Sequence, residues 1–431
     1  MTLHPDERII DLFAGGGGAS TGILAALGRS PDLVVDYNQA ALAVHLANHP
    51  HGMHYCDDVF KALPETSTQP VGLLWASPSC TQFSKAKTGS PLNASVRNLA
   101  WAVVDWARVT KPRCIVLENV EEFTSWGPLD GNGRPLRDKK GQFFQEWLQA
   151  LQGMDYVVEW KSLVAADYGA PTTRKRLFLV ARNDGAPIVW PQPLHAEKHD
   201  TSDLKPWRTA LEVIDWSIPC VSIFDRKKSL ADATLRRVAE GMRKYALLAD
   251  NPCVLAVADG FATPFIGTHY GQSIGRSIQK PLPTVTAGGG GHQLLFVPTL
   301  VTSGYGERPG QSPRVPGIHK PLGTVMATGA KHALVCGHLG GVDRQAQVVN
   351  LLLAYTSLTE TDIESAKVRG LLPTDIGMRL LGPKELLLAQ GFPADYRIDG
   401  ISKTDQIKVI GNAVCPAVAE AIVRANLGDA T

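Results

Sequence analysis

The sequence predicts an α/β protein, with a doubly wound, Rossmann-like sheet and a second, smaller β-rich domain. Three observations carry this. Residues 1–190 alternate short apolar runs with longer stretches of helical periodicity. A glycine-rich turn, Asp11-Leu12-Phe13-Ala14-Gly15-Gly16-Gly17-Gly18, joins the first apolar run to the first helical stretch. After Asn183 the texture changes, with frequent Pro and Gly and short strand-like pieces.

In order, residues 8–13 read as the first strand, 19–27 as its helix, 33–35 as the second strand and 40–47 as the helix after it. A third strand is expected to end near Cys56-Asp57-Asp58-Val59, and residues 71–75 form a buried strand. Residues 100–109 make an amphipathic helix, 114–117 another buried strand and 143–151 a helix. Residues 156–160 and 176–181 form a late strand pair, and 383–390 and 416–427 are helical. Residues 1–190 with 379–431 are expected as one domain and 191–378 as the other. The second contains an internal repeat. Lys280-Pro281-Leu282-Pro283-Thr284-Val285-Thr286 returns as Lys320-Pro321-Leu322-Gly323-Thr324-Val325-Met326, and His292-Gln293-Leu294 as His332-Ala333-Leu334. Two copies suggest two similar strand-loop-strand units.

The chain has 431 residues, 44% of them hydrophobic, enough for a sizeable core. A formal charge of +2 neither favours nor excludes nucleic acid, since only one face need meet phosphate. The amino terminus has no apolar signal core, and no apolar stretch reads as long enough to cross a bilayer. The seven cysteines form no CxxC pair, which argues against a zinc site or disulfide framework and fits a reducing cytoplasm. Cys114 and Cys415 are expected to be structural.

The glycine turn lets backbone approach a ligand, and the helix start favours an anion. Dinucleotide and S-adenosylmethionine folds share such a turn; a P-loop is excluded because no Gly-Lys-Ser/Thr follows. Asp36 ends the second strand, where an acid takes ribose hydroxyls, with Tyr37 beside it to stack on an adenine and Asp58 to accept from its amino group. Cys80 sits in Ala76-Ser77-Pro78-Ser79-Cys80-Thr81-Gln82-Phe83-Ser84, at the mouth of a buried strand, where a thiol can act as a nucleophile. Glu118-Asn119-Val120 and Thr172-Thr173-Arg174-Lys175-Arg176 follow it in order.

This ordered set resembles the DNA (cytosine-5)-methyltransferases over essentially the whole chain. Asp11 to Gly17 resembles their cofactor motif, Pro78-Ser79-Cys80 their Pro-Cys loop, Glu118-Asn119-Val120 their Glu-Asn-Val motif, and Thr172 to Arg176 their Gln-x-Arg-x-Arg motif. Arg379-Leu380-Leu381 through Gln390-Gly391-Phe392-Pro393, and Gly411-Asn412-Ala413-Val414, are similar to the two late motifs. There are two departures, Ser79 where the family usually has Pro and Thr172 where it has Gln. Ser-Pro-x-Cys followed by Phe83-Ser84-Lys85-Ala86-Lys87 resembles phage and prophage members.

The resemblance implies a methyltransferase that uses S-adenosyl-L-methionine on a cytosine flipped out of double-stranded DNA. Cys80 would be the nucleophile, Glu118 the acid at ring nitrogen three, and Arg174 and Arg176 the cations near the base. Asn119 would brace the loop rather than touch substrate. Asp11, Phe13, Ala14, Gly15, Gly17, Asp36, Tyr37, Asp58, Pro78, Asn412 and Val414 would hold the cofactor. Residues 84–95 would close as a lid. Ser84, Lys85 and Lys87, with Arg276, Lys280, Arg308 and Lys320, would meet DNA. The protein is expected to be a metal-free, non-membrane, cytoplasmic and nucleoid-associated monomer. An RNA substrate, a catalytically silent relative and an unusual sulfonium donor stay open as alternatives. A dinucleotide oxidoreductase would leave Cys80, Glu118 and the arginine pair idle. The recognition sequence and any restriction partner are not legible.

Overall fold

Strand β4 (Val71–Ala76) shows why the first sheet must be covered on both faces: all six of its residues are buried. Leu74 and Ala76 face one cluster, Leu73 and Trp75 the other, as period-two alternation requires. The computed structural model describes residues 2–64, 69–79, 98–197, 203–250, 252–258, 261–266, 294–302, 310–339 and 342–428. Of the sequence expectations, Cys80, Ser84, Lys85, Lys87, Arg276, Lys280, Arg308, the lid segment and most of the first repeat copy lie outside these residues.

The chain divides into two compact units: Met1–Arg208 with Met326–Thr328 and Leu387–Thr431, and Thr209–Val325 with Gly329–Leu386. Among the described residues of the first unit, seven strands run in the order β3-β2-β1-β4-β5-β7-β6. They are β1 (Arg8–Leu12), β2 (Leu33–Val35), β3 (Met53–Tyr55), β4, β5 (Cys114–Asn119), β6 (Val157–Val164) and β7 (Lys175–Arg182). The first five are parallel, while β7 is antiparallel to both β5 and β6. The same unit has helices α1 (Gly18–Leu27), α2 (Gln39–Asn48), α3 (Trp101–Thr110) and α4 (Gln142–Gln152). On one face, Trp106 of α3 and Trp147 of α4 are fully buried and donate their indole N–H groups to Val59 and Ala100 carbonyls, both at 2.9 Å.

On the other face α1 packs against α10 (Pro416–Leu427), the last helix. Gly22 makes this contact possible: a Cβ there would meet the Ala419 side chain at 2.6 Å and the Pro416 carbonyl closer still. Preceding α10 is α9 (Lys403–Asn412), capped by the Ser402 hydroxyl, which accepts from the Asp405 amide at 3.1 Å. By composition the stretch Lys403–Leu427 is apolar and long enough to cross a membrane, contrary to the sequence reading. Its apolar residues instead serve the core, for 67% of its most apolar eighteen residues are buried, and it breaks between α9 and α10 at residues 413–415. Cys415 anchors that break by donating from Sγ to Gln390 Oε1 at 3.2 Å. Cys114 is buried in β5, where burial pushes its thiol up to about 12.

The short strands β8 (His195–Ala196) and β9 (Lys205–Pro206) pair in parallel. Among the described residues of the second unit, six antiparallel strands run β10-β15-β14-β13-β11-β12. These are β10 (Val221–Ser222), β11 (Cys253–Ala258), β12 (Phe261–Ile266), β13 (Leu294–Thr302), β14 (His332–His338) and β15 (Asp375–Leu380). Three helices that the sequence reading did not name, α5 (Asp232–Met242), α6 (Gln345–Tyr355) and α7 (Glu360–Val368), share a core with this sheet through Val238, Met242, Leu352 and Ala366. The short helix α8 (Pro383–Ala389) begins in this unit and ends in the first.

Candidate active site

The carboxyl ends of β1, β2, β4 and β5 in the first unit converge on a cavity of about 260 Å³. In doubly wound sheets this edge, near the strand-order reversal, is where ligands bind. The turn after β1 is shaped for close approach. Phe13, Gly15 and Gly17 all have positive φ (56°, 56° and 88°), and Phe13 is not a glycine. A bulky residue held there marks local strain of the kind functional sites store. At Gly18 a Cβ would strike the Val414 carbonyl, so only glycine lets the turn seat against the break between α9 and α10.

The cavity is lined by Phe13, Ala14 and Gly15 from this turn, and by Asp36 and Tyr37 after β2. Ser77, Pro78 and Ser79 line it after β4, with Glu118, Arg174, Asn412 and Val414. A second space of about 410 Å³ shares Phe13, Asp36, Tyr37 and Asn412 and adds Asp57 and Asp58. Tyr37 is 73% exposed, leaving its ring free to cover a planar ligand. Asp36 Oδ2 accepts from the Gly15 amide at 2.8 Å, and Oδ1 from the Asn38 amide at 2.7 Å. Each oxygen keeps a second lone pair for a hydroxyl donor. Burial raises the Asp36 pKa against these two bonds. An acid, an exposed aromatic ring and a left-handed glycine cradle around connected space fit an adenosine-bearing cofactor.

Three expected residues sit differently from the sequence reading. Asp11 does not line the cavity: it is 0% exposed behind the turn, 2.6 Å from the Ser20 hydroxyl. Gly17 is also off the cavity, packed toward Tyr396 and His49. Arg174 does line it, but it is buried and donates from Nη1 to the Gly411 carbonyl at 3.0 Å, so it also ties β7's approach to the end of α9. For Asp11, sequence order gives the motif but not which side of the strand end the side chain takes.

Glu118 is buried at the end of β5, and its pKa is raised, burial outweighing the lowering by Arg176 and Arg174. Arg176 Nε lies 3.3 Å from Glu118 Oε1, an ion pair short of hydrogen-bond geometry. Asn119 braces the neighbouring loop by donating to the Pro78 carbonyl at 3.1 Å, while its own oxygen accepts from the Val120 amide at 2.9 Å. Thr172, at the position of the family's Gln, is buried and accepts from the Arg174 amide at 3.3 Å. Lys320, in the second unit, is exposed.

Lys408, Val409 and Ala413 also line the cavity and were not expected from the sequence. The Ser402-x-x-Asp405 cap marks where α9 starts, but not that its far end reaches the site. Replacing Asn119 with Ala is expected to lower stability by about 1–3 kcal/mol, the cost of leaving the buried Pro78 carbonyl unpaired. Denaturant melts of the two proteins check this.

A family model described as C-5 cytosine-specific DNA methylase matches residues 7–232 and 323–427. Type II methyltransferase M.SacI of Streptomyces achromogenes is 29% identical over 277 residues, covering 57% of this chain and 64% of that protein. Type II methyltransferase M.NaeI of Lentzea aerocolonigenes is 34% identical over 195 residues, 44% of this chain and 43% of the relative. The matched stretch thus spans less than two thirds of either relative. Among solved structures, a candidate DNA modification methyltransferase encoded within an Escherichia coli prophage has a TM-score of 0.50 at 16% identity, over 97% of this chain and 98% of that one. Spodoptera frugiperda DNMT2 has a TM-score of 0.50 at 13% identity, over 96% and 97%. Both likenesses concern the fold.

Proposed function

Because the chain belongs to the C-5 cytosine-specific DNA methylases, we propose that it methylates carbon five of cytosine in double-stranded DNA, with S-adenosyl-L-methionine as donor. The observation that carries this reading is the meeting of Glu118, Arg174 and the Pro78-Ser79 loop, two residues before Cys80, on one cavity beside the glycine cradle. The target base must leave its helix to reach such a site, which costs a few kcal/mol of stacking and pairing.

In this reading the Cys80 thiolate adds to carbon six of the ring. The new C–S bond breaks the aromaticity and gives carbon five enamine character. Glu118 in its acid form donates to ring nitrogen three, where charge builds, and its other oxygen accepts from the exocyclic amino group, which separates cytosine from thymine. Arg176 holds Glu118 in place and adds positive charge near the base. Phe13, Gly15, Asp36, Tyr37 and Asn412 would hold the donor, which supplies an electrophilic methyl group when bound. Water takes the carbon-five proton as the Cys80 thiolate is expelled, and the proton on ring nitrogen three returns to Glu118, which restores the ring and the free enzyme.

The second unit, residues 209–325 and 329–386, is proposed to read the DNA sequence, and the protein to act as a cytoplasmic monomer. Bisulfite sequencing of plasmid from bacteria that express the protein tests the reading. Protected cytosines in one sequence context are expected; complete conversion at every site would overturn it.

A further inference from the structure

We infer that Asp11, Ser20, His45 and His54 hold one shared proton beneath the glycine-rich turn and that this proton rests on Asp11, which makes Ser20, His45 and His54 positioning residues for an uncharged floor under the turn. The chain of contacts is continuous. Asp11 Oδ2 is 2.6 Å from Ser20 Oγ. Ser20 Oγ is 2.8 Å from His45 Nε2, His45 Nδ1 is 2.8 Å from His54 Nε2, and His54 Nδ1 is 2.8 Å from the Gly52 carbonyl. Asp11, Ser20 and His45 are each 0% exposed, so water cannot repair a mismatched contact there.

Four contacts need four protons. The Ser20 hydroxyl supplies one and each neutral imidazole one, which makes three. The Gly52 carbonyl has none to give. With Asp11 ionised and both imidazoles neutral, one contact would set two lone pairs face to face at under 3 Å. The fourth proton therefore sits either on Asp11 or on an imidazole.

Three features favour Asp11; the alternative, a cationic His54, would have Ser20 donate to Asp11 and put the His45 proton on Nε2. His45 is fully buried, with the His49 and His54 rings both 4.9 Å away, so a cation there is opposed by burial and by its neighbours. Burial and the nearby Asp36 raise the Asp11 carboxyl to about 7, against the Ser20 contact. Among the described residues Asp11 Oδ1 has no hydrogen-bond partner, which a neutral acid tolerates far better than a buried carboxylate. The order of donation is then Asp11 to Ser20, Ser20 to His45 Nε2, His45 Nδ1 to His54 Nε2, and His54 Nδ1 to Gly52. The other titratable groups facing this floor are Asp36 at the end of β2, His49 through Thr21, and Tyr396, whose hydroxyl donates to the Gly16 carbonyl. The proton count is independent of the methyl-transfer reading.

Two measurements on the unliganded protein test it. In wild type, nitrogen-15 NMR of the histidine rings is expected to show His45 protonated on Nδ1 and bare on Nε2; a proton on Nε2 would overturn the inference. The second measurement compares the pH dependence of unfolding in wild type and Asp11→Asn, whose amide can donate to Ser20 as the acid does. His45 and His49, both lowered by burial in the fold (His49 to about 4), stabilise it above their unfolded values and lose that contribution as pH falls. Asp11, raised, acts in the opposite sense: its contribution is full below its unfolded value and is lost as pH rises toward 7. Between about pH 4.5 and 6 these three groups then give a net uptake of about one proton on unfolding in wild type and about two in Asp11→Asn. A slope steeper by one proton is expected in the variant; equal slopes would overturn the proposal.

Discussion

Replacing Cys80 with Ala is expected to lower methyl transfer by about 10⁴-fold or more, since a nucleophile that forms the covalent adduct has no substitute in its own site. DNA affinity should stay within about threefold, because protein–DNA affinity rests mainly on phosphate contacts rather than on a single thiol. The loop that delivers the thiol is anchored just upstream. Pro78 and Ser79 line the cavity, Asn119 holds the Pro78 carbonyl, and the Trp75 indole donates to Ser77 Oγ at 3.0 Å. Transfer of a labelled methyl group to duplex DNA, with a gel-shift assay on the same preparation, measures both effects. Retained transfer would remove Cys80 from the mechanism. Loss of transfer together with loss of DNA binding would point to damage of the loop instead.

The strands were legible where burial on both faces leaves little choice. Val71–Ala76 and Cys114–Asn119 are apolar runs bounded by polar residues, and both lie near the centre of the sheet. Glu118 was singled out by its Glu-Asn-Val motif, and it lies buried at the end of such a run on the cavity wall. What escaped depended on distant parts of the chain. Lys408 and Val409 reach the cavity only because α9 packs where it does, with Gly411 pressed against Met326 and Ala327 so tightly that a Cβ would clash with their backbone. Nothing local to residues 403–412 announces that contact. Helices α5, α6 and α7 were hidden by the Pro- and Gly-rich segments around them, which set the texture of a wide window. The Asp11 to His54 chain links β1, α1, α2 and β3, and only the folded strand order brings four polar residues from four elements into one line.

Replacing Glu118 with Gln should reduce turnover by about 10²–10³-fold, within the range of a lost general acid, and leave cofactor binding within about twofold. Gln keeps the shape and can still donate a hydrogen bond to ring nitrogen three, but it has no proton to transfer as charge builds there. The buried site explains why a carboxyl can fill this role near neutral pH. Burial raises the Glu118 pKa despite the opposing charges of Arg176 and Arg174, so the acid form survives to higher pH than on an exposed glutamate. The acid form is the competent one and is lost as pH rises through that raised value. Wild-type turnover should therefore fall along an alkaline limb that the Gln variant lacks. Arg176 controls where this limb lies, because its guanidinium, 3.3 Å away, favours the ionised form. Removing that charge with Arg176→Gln should move the limb to higher pH. Single-turnover rates across pH 6–9 for the three proteins decide the matter. Unchanged turnover in Glu118→Gln, or an alkaline limb that persists in it, would assign the proton to another group.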